Sequence, residues 1–250
     1  MKTIKHSFIV MVKLSILLTI LSGCEKDHMF DWTKSTGKIT TEYRTVGNFS
    51  SLHLSDNVDV ILHTDTTPFV RVTAGQNIMD GIITETKSNT LYIRNENRYN
   101  WVRSFKNRFT VEIGMAQPEK ISYYGSGNVS CHDTMRFDGF TFDCWNGSGT
   151  IDLNLNTNTS NINIHVGRCD IHLMGNAGNS YLYNNDTGII DAHQLKTANT
   201  YLRSSSTGDC KVNVTNELAV EINHTGNVYY SGNPSIINQQ ISGSGKLIKY

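Results

Sequence analysis

The chain has 250 residues, and its 22 basic and 22 acidic side chains cancel at neutral pH. This balance argues against nucleic acid as a partner, because binding to phosphates requires a concentrated positive field. The sequence also contains no phosphate-binding loop, nucleophile elbow or zinc motif, so nothing in it calls for a cofactor.

The first 23 residues have the form of an export signal. Three lysines precede or abut the apolar run Leu14–Leu21, which is too short to span a bilayer as a helix. The run leads into Ser22-Gly23-Cys24 and resembles the lipobox of bacterial lipoproteins, which implies cleavage before Cys24 and lipidation of its thiol. A plain secretory signal is the alternative. Without residues 1–23 the chain keeps 19 basic and 22 acidic residues, so the mature protein is mildly acidic.

A tether and a single all-β domain follow the signal. Residues 24–37 are polar and lack strand alternation, so we expect a lipidated cysteine and a tether to the membrane. Residues 38–250 are predicted to form one domain, in which residues 38–115 are less regular and cap the coils of residues 116–250. The strand-like runs of the first part are Phe49–Leu54, Val58–Leu62, Phe69–Thr73, Ile82–Thr86, Thr90–Arg94 and Phe109–Ile113.

An opening coil is predicted near Asp56. Ser55–Val60 matches Ser126–Cys131 position for position if Asp56 stands in the place of Gly127. Aspartate tolerates the backbone geometry of a turn, so this substitution is compatible with a coil.

The segment Asn95–Arg108 is basic and rich in aromatic residues. Arg98 and Arg103 alternate there with Tyr99 and Trp101. Aromatic rings beside arginines suit contact with sugars, anionic glycans or lipid headgroups. These four residues are therefore a candidate binding loop, and the alternative is a hairpin whose rings pack against the domain.

The second half repeats at about 20 residues, the period of a stacked solenoid. A column of glycines marks the repeat: Gly127, Gly149, Gly167, Gly188, Gly208, Gly226 and Gly245. An apolar residue follows two positions after each: Val129, Ile151, Cys169, Ile190, Cys210, Val228 and Leu247. Polar residues alternate with these inward positions, as in half-buried strands, and glycine suits the positive φ of a corner. The pattern predicts a parallel β-helix whose coils stack about 4.8 Å apart.

Four cysteines follow Cys24. In this register Cys169 and Cys210 lie two coils apart, about 9.6 Å, which exceeds the roughly 7 Å limit between bridged Cα atoms. We therefore interpret both as small core residues. Cys131 and Cys144 lie in adjacent coils, and a disulfide between them is left open.

The same register brings carboxylates and histidines together on the outside. Asp152, Asp170 and Asp191 would occupy successive coils, with His172 and His193 two residues beyond the last two. These five residues form a candidate patch for a divalent cation or for sugar hydroxyls. Carboxylates about 5–9 Å apart would also suit glycoside hydrolysis. The alternative is that these are ordinary solvated strand positions.

Several short motifs occur in a characteristic order: Phe49–Leu54, Val58–Val60, Leu91–Ile93 and Gly125–Asn128, with later Gly-Ser-Gly repeats. In this order they resemble the head GIN domain of putative auto-transporter adhesins, also called domain of unknown function 2807, over about residues 40–249. The resemblance implies a β-helical lipoprotein of the bacterial cell envelope with no established catalytic residue.

Together these features favour a non-enzymatic β-helix domain, lipid-anchored at the outer membrane, that acts by binding or scaffolding. Its expected partners are the membrane, through the anchor, and a glycan or a protein of the envelope or a host surface. Two alternatives stay open: a periplasmic structural or sensory lipoprotein, and a carbohydrate-active enzyme that uses the stacked aspartates.

Overall fold

The computed structural model describes residues 35–65, 67–97, 109–115 and 118–250. The fold is all-β and forms a β-solenoid of about six turns, which confirms the predicted fold class. The 16 strands in these ranges belong to one sheet, and a 3-10 turn at Met79–Gly81 is the only helical element that they contain. No helix in the described ranges is long and apolar enough to cross a membrane.

Eight strands make up the less regular first part. In chain order they are β1 (Ile39–Arg44), β2 (Ser51–Asp56), β3 (Val58–Thr64), β4 (Phe69–Gly75), β5 (Ile82–Lys87), β6 (Thr90–Asn95), β7 (Phe109–Met115) and β8 (Lys120–Gly125). Strand β2 pairs in parallel with β6 and β8, and β3 pairs in parallel with β7. The pairs β1–β4, β4–β7 and β5–β6 are antiparallel. These antiparallel strands extend the sheet beyond the parallel coils, at the end where a solenoid needs a cap.

Eight further strands form the regular coils. They are β9 (Val129–Gly147), β10 (Thr150–Gly167), β11 (Asp170–Asn184), β12 (Ile189–Ser204), β13 (Cys210–Ile222), β14 (Val228–Ser231), β15 (Ile236–Ile241) and β16 (Leu247–Lys249). Every pairing among them is parallel, from β9 to β16. Because each long strand continues past bulges around its coil, one coil presents outward side chains on more than one face.

The glycine column exists, with one member misplaced. A Cβ at Gly149 would collide with the carbonyl oxygen of Gly127, and similar collisions recur up the column to Gly245. Glycine is needed because neighbouring backbones touch, and not for the positive φ that the sequence suggests. Gly167 does have a φ of 128°, but it lies against Gly147. Cys169 takes its place in the column, so the predicted register of that coil is wrong by two residues.

The pairing of the opening coil with the next coil is also shifted by two residues from the prediction. Asp56 pairs with Gly125, and Val60 pairs with Val129. Asp56 has a φ of 62°, which is the turn geometry that an aspartate tolerates. The coil therefore begins where predicted, but its partner residues differ.

The inward positions form one core that runs from Phe49 to Val228. The apolar residues two positions after the glycines are buried, except that Leu247 in the last coil is only half-buried. The alternation of apolar and polar residues thus confirms the inside and outside of the coils. The burial does not depend on Gly167, since a two-residue shift keeps each side chain on the same side of a strand.

The observed disulfide differs from what the sequence suggested for Cys169 and for Cys144. Cys144 and Cys169 form a disulfide, whereas Cys131 and Cys210 are free and buried. Cys144 is buried near the end of β9, and Cys169 is buried at the corner after β10. The register shift brings Cys169 to this corner, so its interpretation as a plain core residue is wrong, and Cys131 is not the partner of Cys144.

Candidate binding faces

One outward column of the coils carries most of the predicted acidic patch. Ser130, Asp152, His172, Asp191, Lys211 and Tyr229 follow one another on adjacent strands, and we call this column, with the adjoining His193, the charged face. The residues on β10, β11, β12 and β13 are an acid, a histidine, an acid and a lysine. Opposite charges on neighbouring strands stabilise a sheet, whereas like charges oppose it.

The predicted stack of three carboxylates is therefore wrong. Asp170 pairs with Thr150 and Ile189, two residues away from the charged column, and it is exposed. The stack assumed that Gly167 belongs to the glycine column. Placing His172 between Asp152 and Asp191 separates the two carboxylates by a whole coil.

Asp191 is the centre of the charged face. Its carboxylate is bonded to the Nδ1 atom of His193 and accepts a 3.0 Å bond from the Nζ atom of Lys211. Burial alone would raise the pKa of Asp191, but these bonds outweigh it and hold the pKa below its usual value. The carboxylate is thus satisfied by its own neighbours, which leaves it little capacity for a ligand.

The remaining candidates on this face do not assemble into a metal centre. Asp152 is half-buried and His172 is exposed. No group of three or more His, Cys, Asp or Glu side chains in the described ranges is suited to hold a metal ion. At the end of the column a depression of about 330 Å³ is lined by His193, Lys211, Tyr229 and Tyr250.

A second outward face is rich in aromatic rings and amides. We call it the aromatic face, and it comprises Trp145, Asn161, Asn163, His165, Tyr181, Tyr183, Tyr201, Arg203, Ala219, Glu221, Asn238 and Gln240. Trp145 is 40% exposed and Tyr181 is 44% exposed. Large aromatic rings that remain in water on a rigid sheet are typical of binding surfaces.

The rings are held in two stacks. The Trp145 and His165 rings lie 3.9 Å apart and almost parallel. The Tyr181 and Tyr201 rings, one coil apart, are 5.0 Å apart at an angle of 13°. The Tyr183 ring lies beside His165, with the ring centroids 5.7 Å apart. The coil spacing of the sheet thus sets the spacing of the rings.

A buried carboxylate fixes the first stack. Asp143 is bonded to the Nε2 atom of His165 at 2.9 Å and accepts bonds from Lys120 at 2.7 Å and Asn163 at 3.0 Å. Burial raises the pKa of Asp143, but these three partners outweigh it and lower the pKa. The His165 ring, and Trp145 stacked on it, therefore have one defined orientation.

A groove of about 540 Å³ runs along the second stack. Tyr181, Tyr201, Arg203, Glu221 and Asn238 are among its lining residues. A ring face, amide groups and a paired Arg and Glu thus border one open space, which can offer both apolar contact and hydrogen bonds.

A family model described as "putative auto-transporter adhesin, head GIN domain" matches residues 48–234. The chain belongs to this family. The predicted resemblance is thereby confirmed, and the described strands from β2 to β14 lie within the match.

Solved structures from Bacteroides and Parabacteroides share the fold of this head GIN domain. A protein described as a putative adhesin from Bacteroides fragilis superposes with a TM-score of 0.75 at 23% identity, covering 85% of this chain and 97% of the other. A putative lipid binding protein from Parabacteroides distasonis gives 0.66 at 17%, covering 86% and 98%. A putative adhesin from the same species gives 0.65 at 19%, with the same coverage. These structural similarities show the fold. No curated protein matches the sequence.

Two sets of predicted residues in this head GIN domain lie outside the described ranges. They are the candidate loop residues Arg98, Tyr99, Trp101 and Arg103, and the lipidation residue Cys24. Their roles remain predictions.

The aromatic face of this head GIN domain goes beyond the residues predicted from sequence. A signal for it does exist, because Asn179–Tyr183 and Asn199–Arg203 repeat an order of amide, hydroxyl, tyrosine and leucine. The interval is one coil of 20 residues, so the repeat places Tyr181 beside Tyr201.

Proposed function

We propose that this chain is a lipid-anchored protein of the bacterial cell envelope that acts as an adhesin-like, non-enzymatic binding domain. We further propose that its ligands are carbohydrates and that they bind to the aromatic face. The family name and the neighbouring putative adhesins support the general role, and the composition of the aromatic face supports the ligand class.

The main evidence for carbohydrate ligands is that two exposed stacks of aromatic rings lie beside amide and charged side chains. Tyr181 and Tyr201 present apolar rings, while Arg203, Glu221 and Asn238 border the same groove. A sugar has C–H-rich ring faces that pack on the negative face of an aromatic ring, and hydroxyls that both donate and accept hydrogen bonds. The groove offers partners for both features in one place.

The charged face gives no support to the enzyme hypothesis. Hydrolysis of a glycosidic bond needs two carboxyl groups aimed at one substrate. Asp170 lies off the column, and Asp191 is bonded to His193 and Lys211. The arrangement on which the enzyme alternative rested is therefore not formed, and we propose binding without catalysis.

The test of the ligand class is a glycan array probed with the mature chain carrying Cys24→Ala, which keeps the protein in solution. We expect binding to a subset of glycans, and a loss of about tenfold or more in the double variant Tyr181→Ala/Tyr201→Ala. Tyr229→Ala is the matched control, because it removes a tyrosine from the charged face. A glycan site on the aromatic face would be refuted if the parent chain, Tyr181→Ala/Tyr201→Ala and Tyr229→Ala bound glycans equally. It would also be refuted if the parent chain bound none.

The anchor and the location need a separate test. We expect metabolic labelling with palmitate to depend on Cys24 and to disappear in Cys24→Ala. Protease added to intact cells should cleave an epitope-tagged chain if the domain is displayed on the surface. Protection until the outer membrane is opened would instead support the periplasmic structural or sensory role.

A further inference from the structure

One outward column of the aromatic face contains a gap. In the order of the coils, its residues are Asn161, Tyr181, Tyr201, Ala219 and Asn238. Thr141 precedes them on β9, and from Asn161 onward each residue has an aromatic ring or an amide except Ala219, whose methyl group leaves its level of the column open. We call the space above Ala219, between Tyr201 and Asn238, the Ala219 slot.

The height of the slot suits a single flat ring. Neighbouring strands lie about 4.8 Å apart, so Tyr201 and Asn238, two strands apart, are separated by about 9.6 Å at the backbone. Tyr181 and Tyr201 show that rings stack at this repeat, with centroids 5.0 Å apart. Tyr181 covers one face of Tyr201, and the opposite face looks toward the level of Ala219. A ring placed there would continue the stack.

One wall of the slot is built around Glu217. Its carboxylate accepts a bond from the Tyr201 hydroxyl at 3.4 Å and another from the Nδ2 atom of Asn238 at 3.3 Å. The same carboxylate raises the pKa of Tyr201, so the phenol stays neutral and donates. Glu217 thus holds the two residues that border the slot from either side.

The other wall is a charge pair. The Nε atom of Arg203 lies 3.4 Å from the Oε1 atom of Glu221, and Gln240 is the next residue along that column. The Oε1 atom also accepts a 2.7 Å bond from Asn223, so the acceptor that this wall offers is the second oxygen of Glu221. The other N–H groups of the guanidinium and the amide of Gln240 supply donors. The charged residues that line the groove itself are Arg203 and Glu221. Glu217, bonded to Tyr201 and Asn238, adds a second carboxylate next to them, so the net charge around the slot is negative.

We infer that the Ala219 slot binds one neutral pyranose ring of a carbohydrate, stacked on the open face of Tyr201. This inference rests on the proposed function and names the sugar class and its position. The walls carry donors and acceptors that match hydroxyls, which a purely aromatic ligand would leave unpaired. The negative local charge disfavours uronic and sialic acids, as well as phosphate groups.

The test fills the slot. Ala219→Tyr supplies the missing ring and should melt at or above the wild-type temperature, because it extends an existing stack. On an array that holds neutral and acidic glycans, we expect its binding to neutral glycans to fall about tenfold or more. Ala219→Ser is the control, because it adds only a hydroxyl, and its binding should stay within about twofold. If Ala219→Tyr does not fold, Ala219→Asn replaces it, since the next residue in that column is Asn238.

The outcomes separate the slot from the function on which it rests. If Ala219→Tyr and Ala219→Asn bind as wild type while Tyr181→Ala/Tyr201→Ala does not, the slot is refuted and the aromatic face stands. If wild type prefers acidic glycans, the assignment of a neutral sugar is refuted. If wild type binds no glycan, both proposals fail together.

Discussion

The charged face and the aromatic face lie on the same coils, and the side chains in both repeat at the spacing of one coil. On the charged face, Asp191 is bonded to His193 and Lys211, so its charge is met from within the column. On the aromatic face, the Tyr201 ring stacks on Tyr181 and its hydroxyl donates to Glu217, but its partner position on the next strand holds only the methyl group of Ala219. The same repeat therefore produces two kinds of surface. On one face the charged side chains neutralise each other, and on the other face one position in a column of side chains is left unfilled.

This difference between the two faces distinguishes side chains that stabilise the fold from side chains that are available to bind a ligand. Charged side chains attract attention in a sequence, yet stacked strands tend to pair them with each other. Aromatic rings stacked along a sheet remain exposed at their edges and at the end of the stack. The better candidate for binding is therefore the column whose interactions are left incomplete.

Both faces depend on the core between them, and a charge placed there should have the largest effect. Ile190 is fully buried directly before Asp191. Ile190→Asp would bury a carboxylate among apolar side chains, and we expect a loss of about 4 kcal/mol or more in the free energy of unfolding, or no folding at all. Circular dichroism during urea unfolding measures this.

The adjacent residue provides a matched control. Ile189 is 39% exposed, because successive residues of a strand point to opposite sides. Ile189→Asp adds a like charge beside Asp170, but it faces water, so it should lower the free energy of unfolding by no more than about 1 kcal/mol. If the two variants were equally stable, the assignment of inward and outward positions would be wrong.

The disulfide is expected to have the next largest effect. Cys144 precedes Trp145 and is bonded to Cys169, 25 residues away in sequence. Replacing Cys144 by Ala should lower the free energy of unfolding by about 2–4 kcal/mol, because the unfolded chain gains freedom. The measurement is urea unfolding of the two proteins without reductant.

Thiol counting checks the pairing independently. Burial raises the pKa of Cys131 to about 12 and that of Cys210 to about 11, so neither thiol should react in the folded protein. In the mature chain with Cys24→Ala, unfolding should expose these two thiols, and reduction should add two more. Four reactive thiols before reduction would exclude the disulfide.

The hydrogen bonds of Asp191 should contribute an intermediate amount to stability. Asp191→Asn keeps the shape but removes the charge that His193 and Lys211 meet, and we expect a cost of about 1–3 kcal/mol. The lowered pKa of Asp191 also determines how its contribution to the free energy of unfolding changes with pH. The carboxylate stabilises the fold above its unfolded pKa, near 3.8, and this contribution is lost as the pH falls through the lower folded pKa.

The pH dependence can be measured against the variant. The difference in unfolding free energy between wild type and Asp191→Asn should be steady near pH 5 and should shrink as the pH drops below about 3.8. A difference that grew on acidification would mean that the neutral form of Asp191 is the stabilising one.

Much of the fold could be predicted because alternation is a strong local signal. Val129 and Ile151 are buried as expected, and the period near 20 residues gives the coils. The register was harder, since Gly167 and Cys169 are both compatible with alternation and differ only in which backbone they touch. A shift of two residues keeps every side chain on its side of the strand, so it leaves no mark in the hydrophobic pattern.

That same shift explains why the predicted arrangement of the acidic and histidine side chains was only partly correct. Asp152, His172 and Asp191 do lie in one column, and His193 joins them through Asp191. Asp170 does not, because its coil is offset. The aromatic face was missed because its members look like ordinary strand residues until Tyr201 and Ala219 are known to be neighbours, and pairing between coils supplies that knowledge.

The smallest expected effect belongs to Asp170, and it tests the register directly. The residue is exposed and pairs with Thr150 and Ile189, neither of which carries a charge. Asp170→Asn should change the free energy of unfolding by less than about 0.5 kcal/mol, in contrast to Asp191→Asn. In a stack of three carboxylates, removing the middle charge would instead relieve repulsion and stabilise the protein. A clear gain in stability, measured by urea unfolding at low ionic strength, would therefore restore the carboxylate stack and with it the case for a catalytic charged face.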